Sequence, residues 1–286
     1  MRTLLSIACL AALSGCAIII TPGEGDIEMK TVFSQDTIQG NGQVNVERRA
    51  IGSLASLEMS GPVNVEVRVG AEPSLQVETD SNLLPRVRTD IIGTTLKVWV
   101  DGNVRSTAGM RVIYTTPQLT QIRSTGSGRL VVSELNGGAL TFSKVGSGES
   151  QLSGKVGSLN MQLNGSGNVN AMALQSGNAN LNLTGSGRLT LGQVSADALN
   201  INLRGSGELQ ASGTVNHLNA HVLGSGGANL MGLASQRADL TTNGSGDISA
   251  RVQQTLSAQT NGSGRITVYG NPGQRNITGK NVHVLN

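Results

Sequence analysis

Residues 159–191 read LNMQLNGSGNVNAMALQSGNANLNLTGSGRLTL, with Gly-Ser-Gly at 165–167 and again at 185–187. Before the first tripeptide, Leu159, Met161 and Leu163 alternate with Asn160, Gln162 and Asn164. Before the second, Ala179, Leu181 and Leu183 alternate with Asn180, Asn182 and Thr184. Alternation at period 2 predicts a strand with one buried face. The alternation resumes past the second tripeptide at Leu189 and Leu191. Two strands therefore meet at a glycine corner.

The tripeptide recurs well outside this window. It stands at 126–128, 146–148, 165–167, 185–187, 205–207, 224–226, 244–246 and 262–264, at intervals of 20, 19, 20, 20, 19, 20 and 18. A fixed period of this size marks a stacked, quasi-one-dimensional architecture. A third apolar position follows each corner by six to eight residues: Leu135, Val156, Leu174, Val194, Val215, Leu233 and Val252. Strand, glycine corner, strand, looser corner and short third segment make one coil of an all-β parallel β-helix (a solenoid). The looser corner is expected to absorb the changes of interval. Coils stack about 4.8 Å apart through ladder hydrogen bonds. Glycine supplies corner angles that a Cβ forbids, and serine between the glycines can satisfy local backbone groups. No proline occurs from 118 to 271, as stacked strands require, because proline deletes a ladder donor.

The residue after each tripeptide is Arg129, Glu149, Asn168, Arg188, Glu208, Gly227, Asp247 and Arg265. Stacking turns these into one outward row. Neighbouring coils then pair Arg129 with Glu149, Arg188 with Glu208, and Asp247 with Arg265. Exposed pairs contribute roughly 0.2–1 kcal/mol each, so the row selects register more than it adds stability.

Residues 41–117 also alternate, through Val63, Val65, Val67 and Val69, then Leu96, Val98 and Val100, then Met110, Val112 and Tyr114. Ser60-Gly61-Pro62 sits there like a degenerate corner. We read 41–117 as an N-terminal β region that caps or starts the helix, with longer excursions. The regular helix and its C-terminal cap occupy 118–286.

Composition narrows the function. Net charge is +3 with no Lys/Arg cluster, which argues against nucleic acid, since that partner needs a concentrated basic face. The only cysteines are Cys9 and Cys16, so the body has neither a disulfide framework nor a thiolate metal site.

The N-terminus places Arg2 before an apolar run from Leu4 to Leu13, followed by Ser14-Gly15-Cys16. That is the layout of an export signal, and the run is short of the ~20 residues of a membrane span. Leu13-Ser14-Gly15-Cys16 resembles the lipobox of bacterial lipoproteins. The resemblance implies removal of residues 1–15, a lipid on Cys16 and membrane attachment through it. Ala17, where inner-membrane lipoproteins often carry Asp, favours the outer membrane. Residues 16–40, with Pro22, Gly23 and Gly25, read as a flexible tether behind the anchor.

Four features together resemble the auto-transporter adhesin head GIN domain family. They are Leu57–Val67 (LEMSGPVNVEV), Asp80–Pro85 (DSNLLP), the Gly-Ser-Gly units, and Tyr269-Gly270-Asn271-Pro272. The resemblance covers about residues 45–286 and implies a right-handed parallel β-helix in one or two lobes. It brings no catalytic residues.

The residues themselves offer little catalytic chemistry. Asp239 and Asp247 are close in sequence but sit on different strands around a corner, a poor carboxylate pair for glycoside cleavage. His217 and His221 lie about 13 Å apart on an extended chain, too far to share a metal, and His283 is isolated. The glycines match neither a calcium β-roll nor a phosphate loop. No metal and no cofactor are expected. The row Asn160, Asn180, Asn200 and Asn219, with Asn164, Asn182 and Asn202 nearby, is the candidate ligand-facing surface. Its amides can meet sugar hydroxyls or bond one another from coil to coil; we favour the second, because the face has no aromatic platform.

The sequence thus predicts a non-enzymatic, lipid-anchored envelope β-helix acting in adhesion or envelope interaction, with a glycan or protein as partner. Alternatives are a carbohydrate-active enzyme on the same scaffold and a periplasmic scaffold for a protein partner.

Overall fold

The computed structural model describes residues 37–285. The expected export signal, Cys16 and the expected tether up to residue 36 lie outside the described residues. From Leu130 onward, each repeat forms one long strand that breaks only at a tripeptide. These strands are Leu130–Val145, Glu149–Gly165, Asn168–Gly185, Arg188–Gly205, Glu208–Gly224, Gly227–Gly244 and Asp247–Gly262. Each pairs in parallel with the next. The result is a parallel β-solenoid of about 8 turns. Among the described residues, Leu84–Arg86 forms one 3-10 turn and no α-helix occurs.

The looser corner differs from the sequence expectation. The ladder passes through it instead of stopping at a loop, and the third segment belongs to the same strand. Slack is taken up by shifts of register there, as between Gln151 and Ser153, Leu191 and Gln193, and Gln210 and Ser212. A bulge inserts a residue while keeping flanking pairs intact, so intervals of 18, 19 and 20 stack without offsetting the glycine corners.

Those corners stand in a column. The first glycine of each tripeptide has φ between +105° and +122°, a region nearly closed to residues with a Cβ. From Gly146 onward, a Cβ there would also lie 2.3–2.6 Å from the carbonyl oxygen of the glycine one coil back. Inside, the alternating residues stack like on like. One column runs Leu140, Leu159, Ala179, Leu199, Leu218, Ala238 and Leu256, all buried. From Glu149 onward mainly aliphatic side chains fill the narrow interior, and the buried aromatics Tyr114 and Phe142 lie nearer the base.

The N-terminal strands join the same stack, but out of chain order. Ser56–Ser60 and Asn64–Val69 flank the Gly61 corner. That coil lies directly against the next Gly-Ser-Gly corner: Gly61 donates its N–H to Thr125 O at 3.0 Å, and Gly128 donates to Gly61 O at 3.0 Å. Its opposite side pairs with Thr95–Val100 and Arg111–Thr116. The first coil in sequence is therefore the second in space. Between them the chain makes an excursion whose strands run antiparallel. Ser74–Asp80 pairs with Arg111–Thr116, Val87–Ile92 with Thr95–Val100, and Val44–Arg49 with Ser74–Asp80. These strands close the base. The β-structure includes residues before the boundary at 41, because Ile38–Gln39 pairs with Val104–Arg105; the last residues of the expected tether are part of the body.

Asp80 pins this base. Its side chain is buried and accepts hydrogen bonds from the Ser106 hydroxyl, from Gly42 N at 2.6 Å and from Thr107 N at 3.1 Å. The Ser106 bond, reinforced by the backbone donors, holds the carboxyl below its ordinary value despite desolvation. At the other end, Gln274–Thr278 and Val282–Leu285 form a short last coil, leaving Ile277 and Leu285 exposed.

Candidate functional site

Three outer surfaces carry the residues singled out by the sequence. The first is the row after the corners. Arg188 and Glu208 face each other across a rung and are ion-paired at 2.7 Å. The other two pairs do not close. Arg129 acts electrostatically on Glu66, and Glu149 on Lys144. Asp247 accepts the backbone N–H of Arg265 at 2.8 Å instead of its guanidinium. Asn64 does the same for Arg129 N, and Asn168 for Arg188 N. A side-chain acceptor at this position thus captures the backbone donor leaving the next corner, a role the charge pattern concealed.

The second surface is the flat face before the corners. Asn160, Asn180, Asn200 and Asn219 are register partners in successive coils. Part of the row bonds itself: Asn200 donates to Asn180 at 2.8 Å, and the neighbouring Asn202 to Asn182 at 3.1 Å. Asn219 Oδ1 is buried without a partner. Beyond it stands Asp239, paired with His217 at 2.7 Å. Asp247 lies past the corner, so the two carboxylates do not converge. Among the described residues, no group of three His, Cys, Asp or Glu is placed to hold a metal ion.

The third surface is a groove of about 500 Å³ along the looser corner. Its floor is made of small residues, including Gly157, Gly177 and Ala196. Gly157 and Gly177 are needed because a Cβ at either would lie 2.6 Å or 2.0 Å from the carbonyl one coil back. Asn178, Asp197, Asn216, Gln236 and Gln253 line the groove, one residue from each of five successive coils. Asn178 Oδ1 accepts the N–H groups of Asp197 and Ala198 at 3.0 and 3.1 Å. Asn216 donates to Asp197 at 2.8 Å, and Gln236 to Gln253 at 2.8 Å. Sequence reasoning missed this column, whose spacings of 19, 19, 20 and 17 blur its regularity.

Ser124, Lys144, Thr242 and Thr260 break the apolar pattern in one inward column, and Lys144 is the charged one. Lys144 occupies the interior column that holds Leu163, Leu183 and Leu203 in later coils, and it is fully buried. Its Nζ has no hydrogen-bond partner, nor has the hydroxyl of Ser150, which faces inward across the same corner. Desolvation holds the Lys144 pKa below the usual lysine value, against the pull of Glu149.

A parallel β-solenoid with a self-packed interior and polar long faces defines a repeat protein. The particular family follows from the sequence: residues 53–192 and 173–272 match the model described as "Putative auto-transporter adhesin, head GIN domain", and the chain belongs to that family. Solved structures share the fold. A "putative lipid binding protein" from Parabacteroides distasonis is 23% identical, with 88% of this chain and 100% of that chain covered and a TM-score of 0.66. A "putative adhesin" from Parabacteroides merdae is 20% identical over 88% and 100%, with a TM-score of 0.67. A second such adhesin from P. distasonis is 20% identical over 87% and 99%, with a TM-score of 0.63. A comparison with curated proteins finds no match. The family and these neighbours carry adhesin or lipid-binding descriptions rather than enzymatic ones, and an adhesin-like family points to the cell envelope or surface.

Proposed function

We propose that the protein is a non-enzymatic envelope adhesin, held at the outer membrane by a lipid on Cys16, that engages its partner along the side of the solenoid. The observation that supports this reading is where the unspent polar chemistry lies. The interior is filled mainly by aliphatic side chains, whereas regular polar columns face outward over many coils. A glycosidase needs two carboxyl groups across its cleft; the groove has one acid, Asp197, and in the hollow of about 360 Å³ that holds Glu208 and Asp247, Glu208 is ion-paired with Arg188 and Asp247 accepts the Arg265 N–H. A lipid-binding role analogous to the name of one structural neighbour would have to use the exterior, because the interior aliphatic columns are packed shut.

The test joins location to function. Brief protease treatment of intact cells should digest the protein, and Cys16→Ser should release it from the membrane fraction. Cells lacking the protein should adhere less to a host or biofilm matrix. Full protection from protease, or unchanged adherence, would overturn the adhesin reading.

A further inference from the structure

We propose that the groove along the looser corner is a binding site for a linear, neutral glycan that lies parallel to the solenoid axis, about one sugar per coil. This deepens the adhesin reading and rests on it for its biological setting. The column presents one polar side chain per coil, from Asn178 through Asp197, Asn216 and Gln236 to Gln253. Its internal bonds consume only part of its capacity. Each amide has two donors and a carbonyl acceptor. Asn216 spends one donor on Asp197, and Gln236 spends one on Gln253. Asn216 and Gln236 do not bond each other, so donors and acceptors are both free at the middle of the groove. Thr214 adds a hydroxyl beside them. A surface that both donates and accepts over its middle rungs, at Asn216 and Gln236, suits sugar hydroxyls, which do the same.

Spacing and charge separate this ligand from other polymers. Coils repeat about every 4.8 Å, whereas an extended peptide advances about 3.3 Å per residue and drifts out of step. A pyranose unit is close to the coil spacing in length. Asp197 is the one ionisable residue lining the groove, and no lysine or arginine is there to meet phosphate or carboxylate. Anionic polymers are therefore disfavoured, since they depend on cationic side chains for affinity. Without aromatic platforms each rung contributes weakly, and affinity accumulates along the length of the chain.

The test uses the mature chain and cello- and chito-oligosaccharides from two to six units, read by ligand-observed NMR and calorimetry. Affinity should climb at least tenfold from dimer to pentamer and then level off. Ala234→Trp, which plugs the floor, and Asn216→Ala should each weaken pentamer binding at least tenfold with an unchanged melting temperature. Asn180→Ala on the flat face should leave it within twofold. No binding of any oligosaccharide at millimolar concentration, no dependence on length, or full binding by the plugged variant would overturn the proposal. If cells carrying Ala234→Trp still adhere normally, the groove proposal falls while the adhesin reading stands.

Discussion

A Cβ on Gly205 would sit 2.5 Å from the carbonyl oxygen of Gly185, its counterpart one coil back. Gly205 also has φ +113°. Two separate physical demands thus coincide at one residue, a conformation and a close approach. Gly205→Ala should destabilise the protein by on the order of 3 kcal/mol, read as a shift of the urea midpoint. Ser206→Ala, beside it, should cost little. Equal effects of the two substitutions would show that the corner is not limited by the missing side chain.

Lys144 is a buried amine among leucines. Removing it should stabilise: Lys144→Met is expected to gain on the order of 1–3 kcal/mol, the cost of an unsatisfied buried polar group. The gain should depend on pH. The unfolded lysine titrates near its ordinary 10.5, and the folded one below that. Between the two values the unfolded state binds more protons, so the wild type gains stability as pH rises. Melting curves of the two proteins should converge toward pH 10.5 and separate below it. A constant gap across that range would mean the folded amine titrates normally.

Asp80 acts in the opposite sense. Its carboxyl is held below the ordinary 3.8, chiefly by the Ser106 hydroxyl. Its contribution is therefore complete above the unfolded value and is lost as pH falls through the lower folded one. Ser106→Ala should lower the melting temperature at pH 7 and move the acid transition upward, measured by circular dichroism from pH 2 to 6. An unmoved acid transition would remove Asp80 from the account.

Arg188 and Glu208 are paired but both well exposed. A double-mutant cycle should give a coupling of only about 0.2–1 kcal/mol, shrinking in 1 M salt. The same cycle on Arg129 and Glu149 should give none, since their side chains do not meet.

The regular part of this fold was legible because each coil repeats one local rule. Alternation fixed the inward columns, and the glycine triplets fixed where the chain turns. Lys144 was missed, although its signal is present as a charge in an inward position after Leu140 and Phe142. The winding order of the base was not. Residues 56–69 and 95–116 have similar alternation, and only the antiparallel excursion decides which lies outside. The groove column was hidden for another reason: Asn178, Asp197, Gln236 and Gln253 fall within register shifts, where register in sequence and register in space diverge. Of the three pairs expected in the charge row one closes, Arg188 with Glu208, since a residue's own charge does not reveal whether its side chain bonds a neighbour's tip or its backbone.

The reversed order at the base has a consequence for how the molecule is assembled. A turn made early is sandwiched by one made later, and reversed strands then seal that side. Further rings can be added only at the opposite edge, where each ring meets just its neighbours. Height thereby becomes an adjustable dimension: whole rings can be gained or lost in evolution while the foundation, and whatever it is fastened to, stays the same.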